Sequence, residues 1–206
     1  MSAPSRWSQD EFDSLYRSVG DNLAEVPWAA LRPHPRLVAW LDSGPARAGS
    51  RALVVACGLG DDAAELHRRG WRVTAFDLSP TAISWCRKRF GDAADYRVAD
   101  LFDLPEAWRE RFDLVVEINT IQSLPLDRRR AVIGAIAGTV APGGTLFLRC
   151  LARAEGEPAP RRPWPVSRAE LAAFAEEGLA PVSAIEDLGL SGNPCFQLVS
   201  TRPSNT

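Results

Sequence analysis

Lysine is almost missing from this chain: Lys88 is the only one, so nearly all positive charge among the 206 residues is arginine. We read this as a bias of the source genome, because a net charge of −2 gives no global attraction to nucleic acid or an anionic membrane. No run of eighteen apolar residues occurs, which excludes a membrane-spanning helix. Histidine is limited to His34 and His67, and Cys57, Cys86, Cys150 and Cys195 are far apart with no CxxC pair, so no metal site is expected. The cysteines read as reduced, small apolar packing residues. The start, MSAPSRWSQDEF, has no basic segment leading into an apolar one, and a cytoplasmic protein is expected. What the chain does have is apolar material: 46% hydrophobic residues with seven Trp and eight Phe suffice for a substantial core. We expect one domain, with residues 1–45 as an N-terminal helical cover and 46–206 as the sheet core.

Hydrophobic periodicity alternates strands with helices. RALVVA (51–56) is a short buried strand ending in Gly58-Leu59-Gly60, with a helix predicted over Asp61 to Arg69. A second strand spans Arg72 to Phe76. Ser79-Pro80 then opens a helix through Phe90, Ser as cap and Pro at the first helical position. A third strand is placed at Asp95 to Val98, a helix around Pro105 to Arg111, and the strongest apolar run, FDLVVEI (112–118), as a central strand. The pattern continues with a helix over Leu126 to Val140, a turn at Pro142-Gly143-Gly144 and a strand over Thr145 to Leu151. A surface loop follows over Ala154 to Pro165, then a helix capped by Ser167 through Glu177. Val182 to Leu188 and Cys195 to Thr201 close the chain as a hairpin. The predicted fold is α/β: a doubly wound, mostly parallel seven-stranded sheet with an antiparallel C-terminal hairpin, covered by helices at Gln9 to Ser18 and Pro35 to Leu41.

Such sheets bind ligands at the carboxyl ends of their strands, near the point where strand order reverses. After the first strand stands Cys57-Gly58-Leu59-Gly60-Asp61-Asp62-Ala63, where glycines admit a ligand to the backbone and a helix presents free amides. After the second come Asp77, able to accept both hydroxyls of a ribose, and Leu78. After the third comes Asp100, placed to hold an adenine amino group beside Leu101 and Phe102. Asp77 lies 17 residues beyond Gly60, the spacing of a nucleotide-binding unit. The turn also satisfies G-x-G-x-x-G/A, which keeps an NAD-dependent oxidoreductase in play. Carboxylates at Asp61 and Asp62 oppose a pyrophosphate and suit a cationic ligand such as S-adenosylmethionine.

With the continuations VTAFDLSPTAI, VADLFDLP, FDLVVEINTIQSLP and APGGTLFL, residues 50 to 200 resemble the class I S-adenosylmethionine-dependent methyltransferases. Within that class, VACGLGDDA, Pro163-Trp164-Pro165-Val166 and Pro27-Trp28 are similar to the thiopurine methyltransferases and the plant thiol and halide methyltransferases. The resemblance implies S-adenosylmethionine as cofactor, S-adenosylhomocysteine as product, and Cys57, Gly58, Gly60, Asp62, Asp77, Leu78, Asp100, Leu101 and Glu117 as cofactor residues. Two departures stand out: Val54 replaces an acidic residue of the first strand, and Ala56 replaces the first glycine of the turn. Asp62 is the candidate replacement anchor for the amino-acid end of the cofactor.

Methyl transfer from a sulfonium needs alignment and exclusion of water, and a thiolate acceptor needs little more. An oxygen or nitrogen acceptor usually needs a base, and no histidine stands at a strand end. Glu117 and Asn119 are the candidates for a catalytic role, and Glu117 also reads as a turn cap. Trp7, Tyr16, Trp28, Gln122, Arg149 and Trp164 are the candidate acceptor residues. The aromatics suit a sulfonium and an apolar acceptor, and Arg149 suits either an anionic acceptor or a surface ion pair. Asp127-Arg128-Arg129-Arg130 reads as a solvated helix face, so no nucleic-acid partner is expected, nor a membrane. The leading expectation is a monomeric or homodimeric enzyme that methylates a small molecule, first a thiol, second an oxygen or nitrogen of an aromatic metabolite. The alternatives of a different class are an NAD-dependent oxidoreductase using the Gly58-Gly60 turn and a protein that binds the cofactor without catalysis.

Overall fold

The computed structural model describes residues 9–44 and 49–204, so Trp7 lies outside the described residues. The strands are β1 (Arg51–Val55), β2 (Arg72–Asp77), β3 (Asp95–Val98), β4 (Phe112–Ile118), β5 (Val140–Leu151), β6 (Ala180–Leu188) and β7 (Pro194–Thr201). They form one seven-stranded sheet in the order β3-β2-β1-β4-β5-β7-β6, parallel in its core, with β7 antiparallel to both β5 and β6. The α/β class and the C-terminal hairpin match expectation. The chain forms two compact units: among the described residues, 9–44, 49 and 56–100 make the first, and 50–55 and 101–204 the second. No helix among the described residues is long and apolar enough to cross a membrane.

The first unit holds α1 (Gln9–Ser18), α2 (Pro35–Ser43), α3 (Asp61–Arg68) and α4 (Pro80–Phe90) with β2 and β3. Local chemistry sets the helix starts. The Ser79 hydroxyl accepts from the Ala82 N–H at 3.0 Å, and Pro80 follows where a backbone donor is dispensable. His34 caps α2: its Nδ1 accepts from the Arg36 N–H at 3.2 Å. Tyr16 of α1 is buried with Val26, Leu59 and Ala82, so the aromatic cover is packed by apolar burial.

In the second unit β1 and β4 pair in parallel from Ala52↔Leu114 to Val55↔Glu117, and β4 and β5 from Leu114↔Thr145 to Ile118↔Arg149. Leu53, Leu114, Val115 and Val116 are wholly buried, which is why both strands read as continuous apolar runs. Three local expectations are corrected. Pro142-Gly143-Gly144 is an irregularity inside β5, since pairing begins at Phe112↔Val140 and resumes at Leu114↔Thr145. The segment 105–111 forms only a 3-10 turn, Glu106–Trp108, because Arg109 is extended and Glu110 has φ +46°. The helix expected from Leu126 begins as a 3-10 turn, Leu126–Arg128, and continues as α5 (Arg129–Ala137).

The last helix, α6 (Arg168–Glu176), starts with a complete capping box. The Ser167 hydroxyl accepts from the Glu170 N–H at 3.3 Å, and the Glu170 carboxylate accepts from the Ser167 N–H at 2.7 Å. Ser167→Ala is expected to lower unfolding stability by about 1 kcal/mol, read as a shift in the urea midpoint at constant slope. An unchanged midpoint would mean that Glu170 alone supports the helix start.

Candidate active site

In the first unit the turn after β1 is built on unusual backbone. Ala56 adopts φ +46°, the left-handed conformation of the glycine it replaces, at a cost of about 1–2 kcal/mol for an L-residue. Gly60 has φ +86°, and a Cβ there would stand 2.9 Å from the Cys86 sulfur, so only glycine fits. The turn is tied to β2 twice: the Cys57 N–H donates to the Phe76 carbonyl at 2.8 Å, and the Gly58 N–H to Asp77 Oδ2 at 2.9 Å. Asp77 Oδ1 accepts from the Ser79 N–H at 2.9 Å. Burial raises the Asp77 carboxyl to about 6 against the pull of these backbone donors. Asp77 is therefore first of all a brace between the turn and the start of α4. Leu78 beside it is half-buried.

The two carboxylates that open α3 are already engaged. Asp61 forms a two-pronged ion pair with Arg89 at 2.7 and 2.8 Å, so the repulsion expected of it is largely compensated. Asp62 Oδ1 accepts from the His34 N–H at 2.7 Å, which makes this residue the tether of α2. Burial pushes Asp62 up to about 6, with the Asp61 charge adding to the shift. Asp100 is exposed, two residues beyond the end of β3.

The cover is fastened to the same unit. Asp13 of α1 accepts from the Ser79 hydroxyl at 2.6 Å and from the Thr81 N–H at 3.0 Å, and the Trp28 indole N–H donates to the Tyr16 hydroxyl at 3.0 Å. Tyr16 is only 2% exposed, so it is a packing residue over the turn, whereas Trp28 at 45% exposed keeps a free face. Burial, with the nearby Asp77 charge, holds the Tyr16 phenol well above its ordinary value.

In the second unit Glu117, near the end of β4, is fully buried. Its Oε1 accepts from the N–H groups of Thr120 and Ile121, capping the 3-10 turn Ile121–Ser123, while its Oε2 has no partner. Burial raises this carboxyl to about 7, against the lowering effect of the two N–H groups and the Arg129 charge. Asn119 takes φ +67°, and its Oδ1 accepts from the Gln122 side chain at 3.3 Å. Gln122, expected to face the reacting centre, is buried and bridges instead: its Oε1 accepts from the Leu151 N–H and its carbonyl from the Trp164 N–H at 2.7 Å. Arg149 is not on the surface; it is 2% exposed, its Nη2 is paired to Asp187 at 2.5 Å and its Nη1 has no partner. Trp164 is half-buried in the loop after β5. A cleft of about 580 Å³ beside Phe102, Pro105, Trp108 and Ala131 includes only Leu101 of the expected residues, and strand-end chemistry outweighs it as a site.

Residues 52–144 match the family model of a methyltransferase domain. A structure solved for the conversion of a disulfide bond into a thioacetal group during echinomycin biosynthesis superposes with TM-score 0.78 at 27% identity, covering 96% of this chain and 93% of that one. The chain has the class I methyltransferase fold. The N-methyltransferase NodS from Bradyrhizobium japonicum WM9, solved with S-adenosylhomocysteine, shares that methyltransferase fold at TM-score 0.72 and 24% identity, covering 93% of this chain and 100% of NodS. A ubiquinone biosynthesis O-methyltransferase of Dechloromonas aromatica (strain RCB) is 32% identical over 123 residues, 58% of this chain and 52% of the relative. The chain spans about half the length of the curated relatives it matches.

Against this methyltransferase fold, the main residue the sequence did not single out is Arg129. It sits in an arginine run that reads as a solvated face, and Arg128 and Arg130 fit that reading, the first stacked 4.4 Å over Phe102 and the second paired with Glu176. Arg129 itself is only 5% exposed. The available signal was positional: it is the first residue of α5, one helical turn from the apolar Val132 and Ile133.

Proposed function

We propose that this chain binds S-adenosylmethionine and transfers its methyl group to a small-molecule acceptor, leaving S-adenosylhomocysteine. The observation that carries the reading is the braced turn: Gly58 and Ser79 donate to opposite oxygens of Asp77 within a segment that matches a methyltransferase domain. Beside the N–H groups of Gly58, Leu78 and Ser79, the lone pairs left on Asp77 are those that ribose hydroxyls would use. Cys57, Gly58 and Gly60 offer backbone, Leu78 flanks the adenine, and Asp100 accepts from its amino group. Asp62 has Oδ2 to offer the ammonium, its Oδ1 being taken by His34. A carboxylate in the first turn of α3 weighs against NAD, whose pyrophosphate needs that helix end.

The bound cofactor supplies an electrophilic methyl on a cationic sulfur. The protein's part is to align the acceptor, exclude water and leave its nucleophile unprotonated. A thiol meets the last condition with least help, and the thiopurine and thiol methyltransferase likeness, together with the 27% identical structure concerned with a disulfide and a thioacetal, supports a sulfur acceptor. Trp164 offers it an aromatic wall, and Arg149 pairs with Asp187 through Nη2. A second reading, an aromatic hydroxyl, is favoured by the ubiquinone biosynthesis relatives and by the unpartnered, proton-holding oxygen of Glu117. Transfer of labelled methyl to a panel of thiols, phenols and amines separates them. Thiols are expected to turn over first; turnover of phenols alone, rising through pH 7, favours the second, and tight cofactor binding without any turnover makes this a binding protein.

A further inference from the structure

We infer that Arg129 is a positioning residue that locks the turn after β4 to the loop after β5, and so fixes the shape of the acceptor side of the site; the inference rests on the methyl-transfer reading for what that shape serves. Its three guanidinium nitrogens reach three different segments. Nη1 donates to the Ile121 carbonyl in the turn after β4, Nη2 to the Trp164 carbonyl in the loop after β5 at 3.0 Å, and Nε to Glu170 of α6 at 3.0 Å. Glu170 extends the clamp with its other oxygen, which accepts from Arg153 at 2.8 Å and from the Ser167 N–H at 2.7 Å. Arg153 in turn donates to the Pro165 carbonyl at 3.0 Å. Both segments gripped by Arg129 carry candidate site residues, Asn119 in one and Trp164 in the other, and they also meet directly through the Trp164 N–H on the Gln122 carbonyl.

Only a guanidinium fits this geometry. Its planar fork holds donors in fixed divergent directions, so one side chain can satisfy two carbonyls and a carboxylate from three segments at once. Lysine carries the same charge on one nitrogen, cannot span the three acceptors together and leaves at least one carbonyl buried without a donor. Arg129 also acts on Glu117 through space, its positive charge favouring the carboxylate in a site where burial disfavours it. Loss of Arg129 is thus expected to loosen both segments together and to raise the Glu117 carboxyl further. The first unit's turn, Asp77 and Asp62 take no part in the clamp, so cofactor affinity is expected to stay.

Hydrogen exchange of the full chain, read peptide by peptide, tests this with Arg129→Met and, in case the buried substitution prevents folding, Arg129→Lys. Residues 119–124 and 152–167 are expected to lose protection together by at least tenfold in the Met variant and by less in the Lys variant, with β1 and β4 unchanged. For whichever acceptor of the panel the wild type methylates best, KM is expected to rise about tenfold while the dissociation constant for S-adenosylhomocysteine changes less than twofold. Unchanged protection in either segment, loss spread evenly over the unit, full rescue of both by Lys, or an unchanged KM would overturn the clamp. Absence of wild-type turnover with every acceptor would tell against the methyl-transfer reading alone, and the exchange arm would still decide the clamp.

Discussion

Replacing Asp77 by alanine should weaken binding of S-adenosylhomocysteine by about a hundredfold or more in a calorimetric titration. Hydrogen bonds to a charged acceptor contribute about 1.5–3 kcal/mol each, and two ribose hydroxyls would be lost at once, with every 1.4 kcal/mol a factor of ten. The substitution also frees the N–H groups of Gly58 and Ser79, so the turn loses its brace as well as the cofactor its acceptor. The same carboxyl gives the wild type a pH signature. Its value lies at about 6 in the fold, so the ionised form that accepts from the hydroxyls is depleted below that pH, and affinity should fall as pH drops from 7 to 5. The alanine variant should show no such fall beyond what other groups impose. Wild-type affinity in Asp77→Ala would remove this residue from the cofactor site.

Glu117→Gln should make the protein more stable at alkaline pH, by up to about 3 kcal/mol, and leave it nearly unchanged at pH 5. The carboxyl is raised from 4.5 to about 7 by burial, and each unit is worth about 1.4 kcal/mol. Because the folded value exceeds the unfolded one, the folded state holds this proton more tightly. That contribution is complete below about 4.5 and lost as pH rises through about 7. Glutamine keeps an oxygen for Thr120 and Ile121 and carries no charge to desolvate. Near pH 5 the comparison is even, because a protonated acid and an amide both leave a donor where Oε2 now lacks a partner. Urea unfolding at pH 5, 7 and 8.5 reads the difference, and parallel pH profiles for the two proteins would show that Glu117 is not the titrating group. Turnover of a thiol should survive the substitution; loss of turnover with intact cofactor affinity would assign Glu117 the role of base.

The succession of strands and helices along the chain, the helix starts and the carboxylates at strand ends were legible in the sequence because each follows from a local rule. Buried parallel strands are continuous apolar runs, Ser79-Pro80 and Ser167 are caps, and Asp77 stands where a nucleotide-binding sheet presents its acidic residue. The extended β5 was not legible, since Pro142-Gly143-Gly144 carries turn chemistry, and only pairing with β4 at Val140 and the hydrogen bonds of Gly143 and Gly144 with Arg202 draw it into the strand. The site was legible in position more than in role. Asp62, Gln122 and Arg149 are polar residues in the expected places, but each is engaged by a partner 28 to 38 residues away, a distance across which no local pattern operates. Arg129 shows the converse: a charge run looks solvated in sequence, and only the fold reveals that one of its members is buried against two carbonyls and a carboxylate.

Thermal unfolding with S-adenosylmethionine, S-adenosylhomocysteine and NAD added separately decides whether the braced glycine turn is an S-adenosylmethionine site. A ligand at about a hundred times its dissociation constant adds roughly 2.7 kcal/mol of stability. The midpoint is expected to rise with the first two ligands and to stay unchanged with NAD. A rise with NAD alone would contradict that expectation and make the turn a dinucleotide site.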